Sequence, residues 1–92
     1  MKNPEYLQDV SPEKAFWVSN GWIIKNLEDL PTALEAMSDE TFAFHVNKDK
    51  NDFANWVKEV VGDKSLAATL RMVRNRRNSI EVAKRRIKQL KG

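Results

Sequence analysis

The chain contains no cysteine, which excludes disulfides and thiolate metal sites and makes a reducing cytoplasm the expected location. It has one histidine, whereas stable transition-metal sites usually need three or four nitrogen or sulfur ligands. Three glycines leave little material for a phosphate-cradling loop. No apolar run approaches the ~18 residues of a membrane span, and the opening MKNPEYLQDV lacks the features of a signal peptide. We therefore expect no cofactor, no metal site and no membrane partner.

The composition indicates one folded domain with a strongly uneven charge distribution. The 92 residues are 41% hydrophobic and 32% charged, which suits a single modest core rather than a disordered chain. Residues 1–63 carry six Lys/Arg and twelve Asp/Glu, whereas residues 64–92 carry ten Lys/Arg and one acidic residue. A solvated helix face that pairs with the acidic part explains this distribution. A surface for RNA, DNA or an acidic protein is the alternative.

A β-hairpin is predicted near the N-terminus, where two apolar runs in AFWVSNGWIIK flank the Asn-Gly dipeptide at 20–21. This dipeptide favours a two-residue type I′ turn, because both turn positions need positive φ. Residues 15–19 would then pair with 22–25, with Val18 opposite Ile23. One ribbon alone is marginally stable, so helices must cover at least one face, and the other is either core or an exposed docking surface. The predicted faces carry Trp17, Trp22 and Ile24 on one side and Phe16, Val18 and Ile23 on the other.

Five helical segments follow, each indicated by apolar residues spaced three and four apart. They are predicted at about 26–37, 39–46, 52–61, 64–74 and 75–90. Ser38 and Asp63 are suitable N-cap residues, and Gly62 is suited to a left-handed helix end. The segment NRRNS at 75–79 contains no glycine or proline that would break a helix. One continuous helix from about residue 64 is therefore the alternative to separate helices at 64–74 and 75–90.

The predicted fold is α+β and mostly α, with an N-terminal β-hairpin packed against about five short helices. One domain is expected over residues 1–92. It comprises an irregular lead-in at 1–12, a hairpin and helical body at 13–74, and a basic C-terminal helix at 75–92. The predicted core consists of Phe16, Val18, Ile23, Leu30, Leu34, Phe42, Phe53, Trp56, Val57, Val60, Leu66 and Leu70.

The most specific pattern surrounds the single histidine. It reads F-x-F-H-V-N at 42–47, then N-D-F-A-N-W at 51–56, then V-G-D at 61–63. Over about residues 14–74 the chain resembles a small prokaryotic domain family of unknown function. The resemblance implies a fold rather than an activity, and it does not include the basic last helix. The matching residues are Phe42, Phe44, His45, Val46, Asn47, Asn51, Asp52, Phe53, Ala54, Asn55, Trp56, Gly62 and Asp63.

The same pattern predicts a polar contact between two helices. A helix that ends near Val46 leaves carbonyls without partners, and one that begins near Asp52 leaves amides without partners. Short Asn and Asp side chains supply local partners for both, while the histidine ring can offer its apolar body to the core. We predict a structural polar lock made of His45, Asn51, Asp52, Asn55 and Trp56.

Catalysis and ion binding at this stretch are the alternatives to the lock. A calcium loop that begins at Asn47 should have glycine at its sixth position and glutamate at its twelfth. The chain has Asp52 and Lys58 at these two positions. His45 near a carboxylate could act as an acid or base, but no nucleophile context and no second histidine accompanies it. A non-enzymatic role is therefore expected.

The predicted function is a small protein-interaction or regulatory domain. It would dock through the hairpin face that carries Trp17 and Trp22 or through the surroundings of the motif. The alternative is a nucleic-acid-binding module that uses the basic C-terminal helices. A helix–turn–helix outline at 56–77 fits groove binding poorly, because Lys58 and Arg71 occupy positions where small or apolar residues are expected. The sequence leaves open whether the protein is a monomer or a homodimer. The candidate nucleic-acid contacts are Arg71, Arg74, Arg77, Arg85 and Lys88.

Overall fold

The computed structural model describes residues 4–92 and confirms an α+β fold that is mostly helical. Two short 3-10 turns, Pro4–Leu7 and Pro12–Lys14, lead into the first hairpin, and a second hairpin separates two of the helices. None of the helices in residues 4–92 is both long and apolar enough to cross a membrane. The elements are β1 (Phe16–Trp17), β2 (Ile23–Ile24), α1 (Asp29–Ala36), α2 (Asp39–His45), β3 (Val46–Asn47), β4 (Lys50–Asn51), α3 (Asp52–Trp56), α4 (Lys64–Val73) and α5 (Arg76–Lys91).

The first hairpin is present, but its register differs from the prediction by one residue. Trp17 pairs with Ile23, and the Val18 N–H donates to the Trp22 carbonyl. The loop between them therefore has three residues, 19–21. The Gly21 N–H donates to the Val18 carbonyl at 2.8 Å, and Gly21 has a φ of 93°. This loop needs positive φ only at its last residue, so the preceding asparagine keeps an ordinary φ. A two-residue turn was therefore the wrong prediction.

The change of register reverses which isoleucine enters the core. Strand side chains alternate between faces, so a slip of one residue moves a whole strand's pattern to the other side. Ile24 is completely buried beside the buried Val18, whereas Ile23 is 42% exposed. The prediction of Ile23 in the core is wrong. The outer face of the hairpin is open to solvent, and Trp17 is 66% exposed there.

Four of the five helices in residues 4–92, α2 to α5, begin directly after a side-chain cap. α1 begins at Asp29 rather than at Asn26, because a turn closed by the Asn26 side chain precedes the regular helix. A left-handed Gly62, with a φ of 91°, ends the π-helical turn Val57–Val61 that continues α3. The helices that follow Ser38, Asn51, Asp63 and Asn75 each have an N–H three residues later bonded to that cap side chain.

The basic C-terminal segment forms two helices rather than one. Arg74 adopts a left-handed conformation with a φ of 54°, and Asn75 is extended with a φ of −128°. Within residues 4–92, Arg74 is the sole non-glycine residue with positive φ. The break turns α5 back across α1 and α4, against which it packs.

The core lies between the inner face of the first hairpin and the helices. Most of its predicted members are buried, although Phe16 and Val60 are only partly buried. α5 contributes Val82, Ala83 and Leu90 to the same cluster. The buried residues that the predicted core list did not include are Ile24, Leu27, Ala33, Met37, Val46, Ala54, Ala67, Val82, Ala83 and Leu90.

Candidate functional site

His45 connects three segments through its two ring nitrogens. It ends α2 and is 5% exposed. Its Nε2 accepts the Ser19 N–H at 3.0 Å, and its Nδ1 lies 3.0 Å from Asp52 Oδ2. A backbone N–H can only donate, so Nε2 must carry the lone pair and Nδ1 the proton. The neutral ring therefore donates to the Asp52 carboxylate and ties the first hairpin's loop to the start of α3.

Aromatic rings enclose this imidazole. The ring centroids of Phe16, Phe44 and Phe53 lie 5.3, 5.1 and 5.3 Å from that of His45. Both ring nitrogens are already hydrogen-bonded, so neither is free to exchange a proton with a substrate in this arrangement. Over residues 4–92, no cluster of three His, Cys, Asp or Glu side chains is positioned to hold a metal ion.

Asp52 is the charged member of this contact. Its Oδ2 accepts from Lys50 Nζ at 2.9 Å as well as from His45. Partial burial raises the pKa of Asp52, but hydrogen bonds from Lys50 and His45, together with the charge of Lys50, outweigh burial and hold the pKa below its ordinary value. The carboxylate form is therefore favoured in the folded protein.

We expect the Asp52 carboxylate to stabilise the fold at neutral pH and not in acid. Its folded pKa lies below the unfolded value of about 3.9, so the stabilisation is complete above that value. The stabilisation is lost as the pH falls through the folded pKa. Urea unfolding at about pH 6 and about pH 3 should show a smaller pH-dependent loss in Asp52→Asn than in the unmodified protein.

Asp49→Asn is the matched control for this measurement, because Asp49 is exposed in the same hairpin and forms no ion pair in residues 4–92. It should keep the pH dependence of the unmodified protein. An unchanged pH dependence in Asp52→Asn would contradict the assigned role of this carboxylate.

The other predicted members of the polar lock contact different parts of the chain. Asn51 caps α3 through Oδ1, and its Nδ2 donates to the Leu70 carbonyl at 3.3 Å. Asn55 Oδ1 accepts from Arg71 at 2.8 Å. Trp56 Nε1 donates to the Lys14 carbonyl at 2.8 Å. The five residues thus attach α3 to α2, to α4 and to the lead-in, and only His45 and Asp52 bond directly to each other among them.

Of the two tryptophans predicted to contact a protein, Trp17 lies on the solvent side of the first hairpin, whereas Trp22 lies opposite Val18 and shares the face of Ile24 by strand alternation. The predicted face that carries both tryptophans is therefore wrong. Trp17 is 66% exposed, and both Trp22 and Ile23 are 42% exposed. Lys25 follows Ile23 by two residues and shares its face by strand alternation. Phe44, which is 60% exposed on α2, has Lys50 Nζ at 5.0 Å from its ring centroid.

The five predicted nucleic-acid contacts form no ion pairs within residues 4–92, in contrast to several neighbouring cations. Arg71 bonds to Asn55 of α3, and the Arg74 guanidinium donates to the Asn47 carbonyl of the second hairpin at 3.2 Å. Arg77, Arg85 and Lys88 lie on α5 and do not line the same cleft. On α5, the cations that do pair with carboxylates are Arg76 with Asp39, Lys84 with Glu35, Arg86 with Asp63 and Lys91 with Glu28.

A cleft of about 330 Å³ lies between the second hairpin and the C-terminal end of α4, and the sequence did not indicate it. The sequence prediction treated 47–51 as a turn, and β3 and β4 have only two residues each, too few for a recognisable alternation. The cleft residues are Val46, Asn47, Lys48, Asp49, Lys50, Asn51, Asn55, Arg71 and Arg74.

Comparison with known proteins identifies no relative of this chain: no family model, no curated protein and no solved structure matches it.

Proposed function

We propose that this protein is a protein-interaction domain whose docking surface is the outer face of the first hairpin. The observation that carries the proposal is the exposure of Trp17, Trp22 and Ile23 on one short ribbon. Grouped apolar exposure of this kind is typical of interaction surfaces, and tryptophan is enriched among residues that dominate binding energy.

The fold depends little on the outward side chains of Trp17 and Ile23. Val18 and Ile24 fill the core from the opposite face of the ribbon, and the half-buried Phe16 packs against the same cluster. A side chain that is two-thirds exposed, such as Trp17, removes little apolar surface from water and so contributes little to folding. Binding explains the outward positions of Trp17 and Ile23 better than stability does.

The charge beside this face indicates the chemistry of the partner. Lys25 is exposed, shares the face with Ile23 and has no carboxylate partner in residues 4–92. We infer that the partner is a protein segment that presents apolar side chains with an acidic residue next to them. The cysteine-free composition favours a cytoplasmic setting for this interaction.

Trp17→Ser should weaken binding of the partner at least about tenfold, because it removes a large side chain from the centre of the surface. Partners captured by the unmodified protein would be purified and titrated calorimetrically against both forms. Met72→Ser is the matched control, since Met72 is 81% exposed on α4 and should leave the affinity unchanged. Met72→Ser should change the free energy of unfolding by less than about 0.5 kcal/mol, and Trp17→Ser, which loses the cross-strand contact with Ile23, by roughly 1 kcal/mol. Equal affinities for the two variants would contradict the proposal.

Nucleic-acid binding through the C-terminal helices is a second candidate function, favoured by five cations without carboxylate partners in residues 4–92. Fluorescence anisotropy with labelled duplex DNA and structured RNA, at low and near-physiological salt, separates the two candidates. Tight binding that falls steeply with salt and weakens in Arg85→Ala would support this second function. Absence of binding at low salt would leave the protein-interaction proposal standing alone.

A further inference from the structure

The cleft between the second hairpin and α4 has an excess of positively charged over negatively charged side chains. Lys48, Lys50, Arg71 and Arg74 line it, against a single carboxylate from Asp49. Lys50 is paired with Asp52, but the other three cations have no carboxylate partner in residues 4–92. Charge of one sign in a concave site attracts a ligand of the opposite sign.

The two arginines are held by neutral acceptors that leave most of their donors free. One guanidinium nitrogen of Arg71 bonds to Asn55 Oδ1 at 2.8 Å, and one of Arg74 bonds to the Asn47 carbonyl at 3.2 Å. A guanidinium carries five N–H donors, so each contact orients the group without neutralising it or using up its hydrogen bonds. The arrangement suits bidentate binding of an oxyanion.

The backbone at Arg74 points to a role other than stability. Arg74 ends α4 in a left-handed conformation with a φ of 54°, which glycine or asparagine adopts with less strain. Strained residues of this kind cluster at binding sites. In this chain the strained position aims a guanidinium at the second hairpin.

The geometry points to a binding site for the phosphate group of a small phosphate monoester in this cleft. A phosphate monoester has three terminal oxygens and up to two negative charges, which match several free donors on three unpaired cations better than a carboxylate does. The volume of about 330 Å³ leaves room for a small group attached to the phosphate. This site is separate from the hairpin face of the proposed function and does not depend on it.

Asp49 is the one lining residue that opposes an anion. Its backbone N–H donates to Asn47 Oδ1 at 3.0 Å, which fixes the hairpin loop, while the residue itself is exposed. Its negative charge should lower the affinity for phosphate rather than prevent binding. Asp49→Asn should therefore strengthen binding, and this sign is opposite to that expected for substitution of Arg71 or Arg74.

The test is a titration of the isotope-labelled full chain with glycerol 3-phosphate, followed by amide and arginine side-chain NMR signals at constant ionic strength. We expect saturable shifts confined to residues 46–51, 55 and 71–74. Arg74→Asn should weaken the affinity at least about tenfold, because asparagine tolerates the backbone conformation and removes only the guanidinium. Arg77→Asn, which removes the same charge outside the cleft, should change the affinity by less than about twofold.

Several outcomes would overturn the inference. These are absence of saturable shifts, an equal effect of Arg74→Asn and Arg77→Asn, or weaker binding in Asp49→Asn. Binding of a short single-stranded oligonucleotide without binding of glycerol 3-phosphate would assign these cations to nucleic acid instead. Urea unfolding of Arg74→Asn checks that the fold is retained, and a retained fold with unchanged phosphate affinity would also count against the site.

Discussion

Replacing Arg86 by methionine is expected to lower the free energy of unfolding by roughly 3–5 kcal/mol, a large part of the total for a domain of this size. Asp63, just before α4, is only 1% exposed, and its carboxylate accepts two bonds from Arg86 at 2.8 and 3.2 Å. Without the guanidinium, Oδ2 loses its hydrogen-bond donor, and Oδ1 keeps only the Leu66 N–H at 3.1 Å. A buried carboxylate without its partner is among the most destabilising single changes.

Substitution of the acidic partner should cost less. Asp63→Ser keeps a capping oxygen for α4 and removes the buried charge, and Arg86, at 26% side-chain exposure, can then turn toward water. We expect a loss of about 1–2 kcal/mol for this variant.

Urea unfolding of both variants measures the difference, and Arg85→Met is the control because Arg85 is exposed and forms no ion pair in residues 4–92. That control should lie within about 0.5 kcal/mol of the unmodified protein. If Arg86→Met were no worse than Arg85→Met, the pair would contribute nothing to the packing of α5 against the start of α4.

His45→Ala is expected to cost about 3 kcal/mol, because it removes a ring packed among three aromatic side chains and two hydrogen bonds together. The Ser19 N–H would lose its acceptor, so the loop of the first hairpin should loosen as well. Amide hydrogen exchange at residues 18–22 should accelerate more than that in α5.

Two further variants separate the contributions of the two ring nitrogens. His45→Gln places an acceptor near the former position of Nε2, so it should keep the Ser19 N–H protected while losing the bond to Asp52. His45→Asn places a donor near the former position of Nδ1 and should show the opposite pattern. If all three variants protected the Ser19 amide as well as the unmodified protein does, the hairpin would not depend on this histidine.

Much of the fold followed from local chemistry. Ser38, Asp63 and Asn75 cap helices by bonding an N–H three residues later, and these contacts depend on short stretches that sequence reasoning handles well. The hairpin register could not be predicted from the local sequence, because two loops fit it. An Asn-Gly dipeptide suits a two-residue loop, and the same glycine at the third position suits a three-residue loop. Packing decided between them, since only the observed register buries Val18 and Ile24 on one face.

The candidate sites also differ in how far the sequence could predict them. The proximity of His45 and Asp52 could be predicted, because seven residues separate them across one turn. The cleft could not, because Arg71 meets α3 and Arg74 meets the second hairpin across 16 and 27 positions of the chain, and both bond to neutral acceptors. The sequence left open whether the hairpin face that carries Trp17 is buried in the core or exposed to solvent, and only the register decided between the two.

The sequence by itself determined the helical periodicity, the capping residues and the acidic and basic parts of this protein, because each depends on neighbours within about one or two helical turns. Tertiary structure alone decided which face of the hairpin meets water, where α4 ends and which cations stay unpaired within residues 4–92. Those outcomes depend on surfaces brought together from distant parts of the chain. Arg86 can form its ion pair with the buried Asp63, and Lys84 its ion pair with Glu35, only after α5 has folded back over the core.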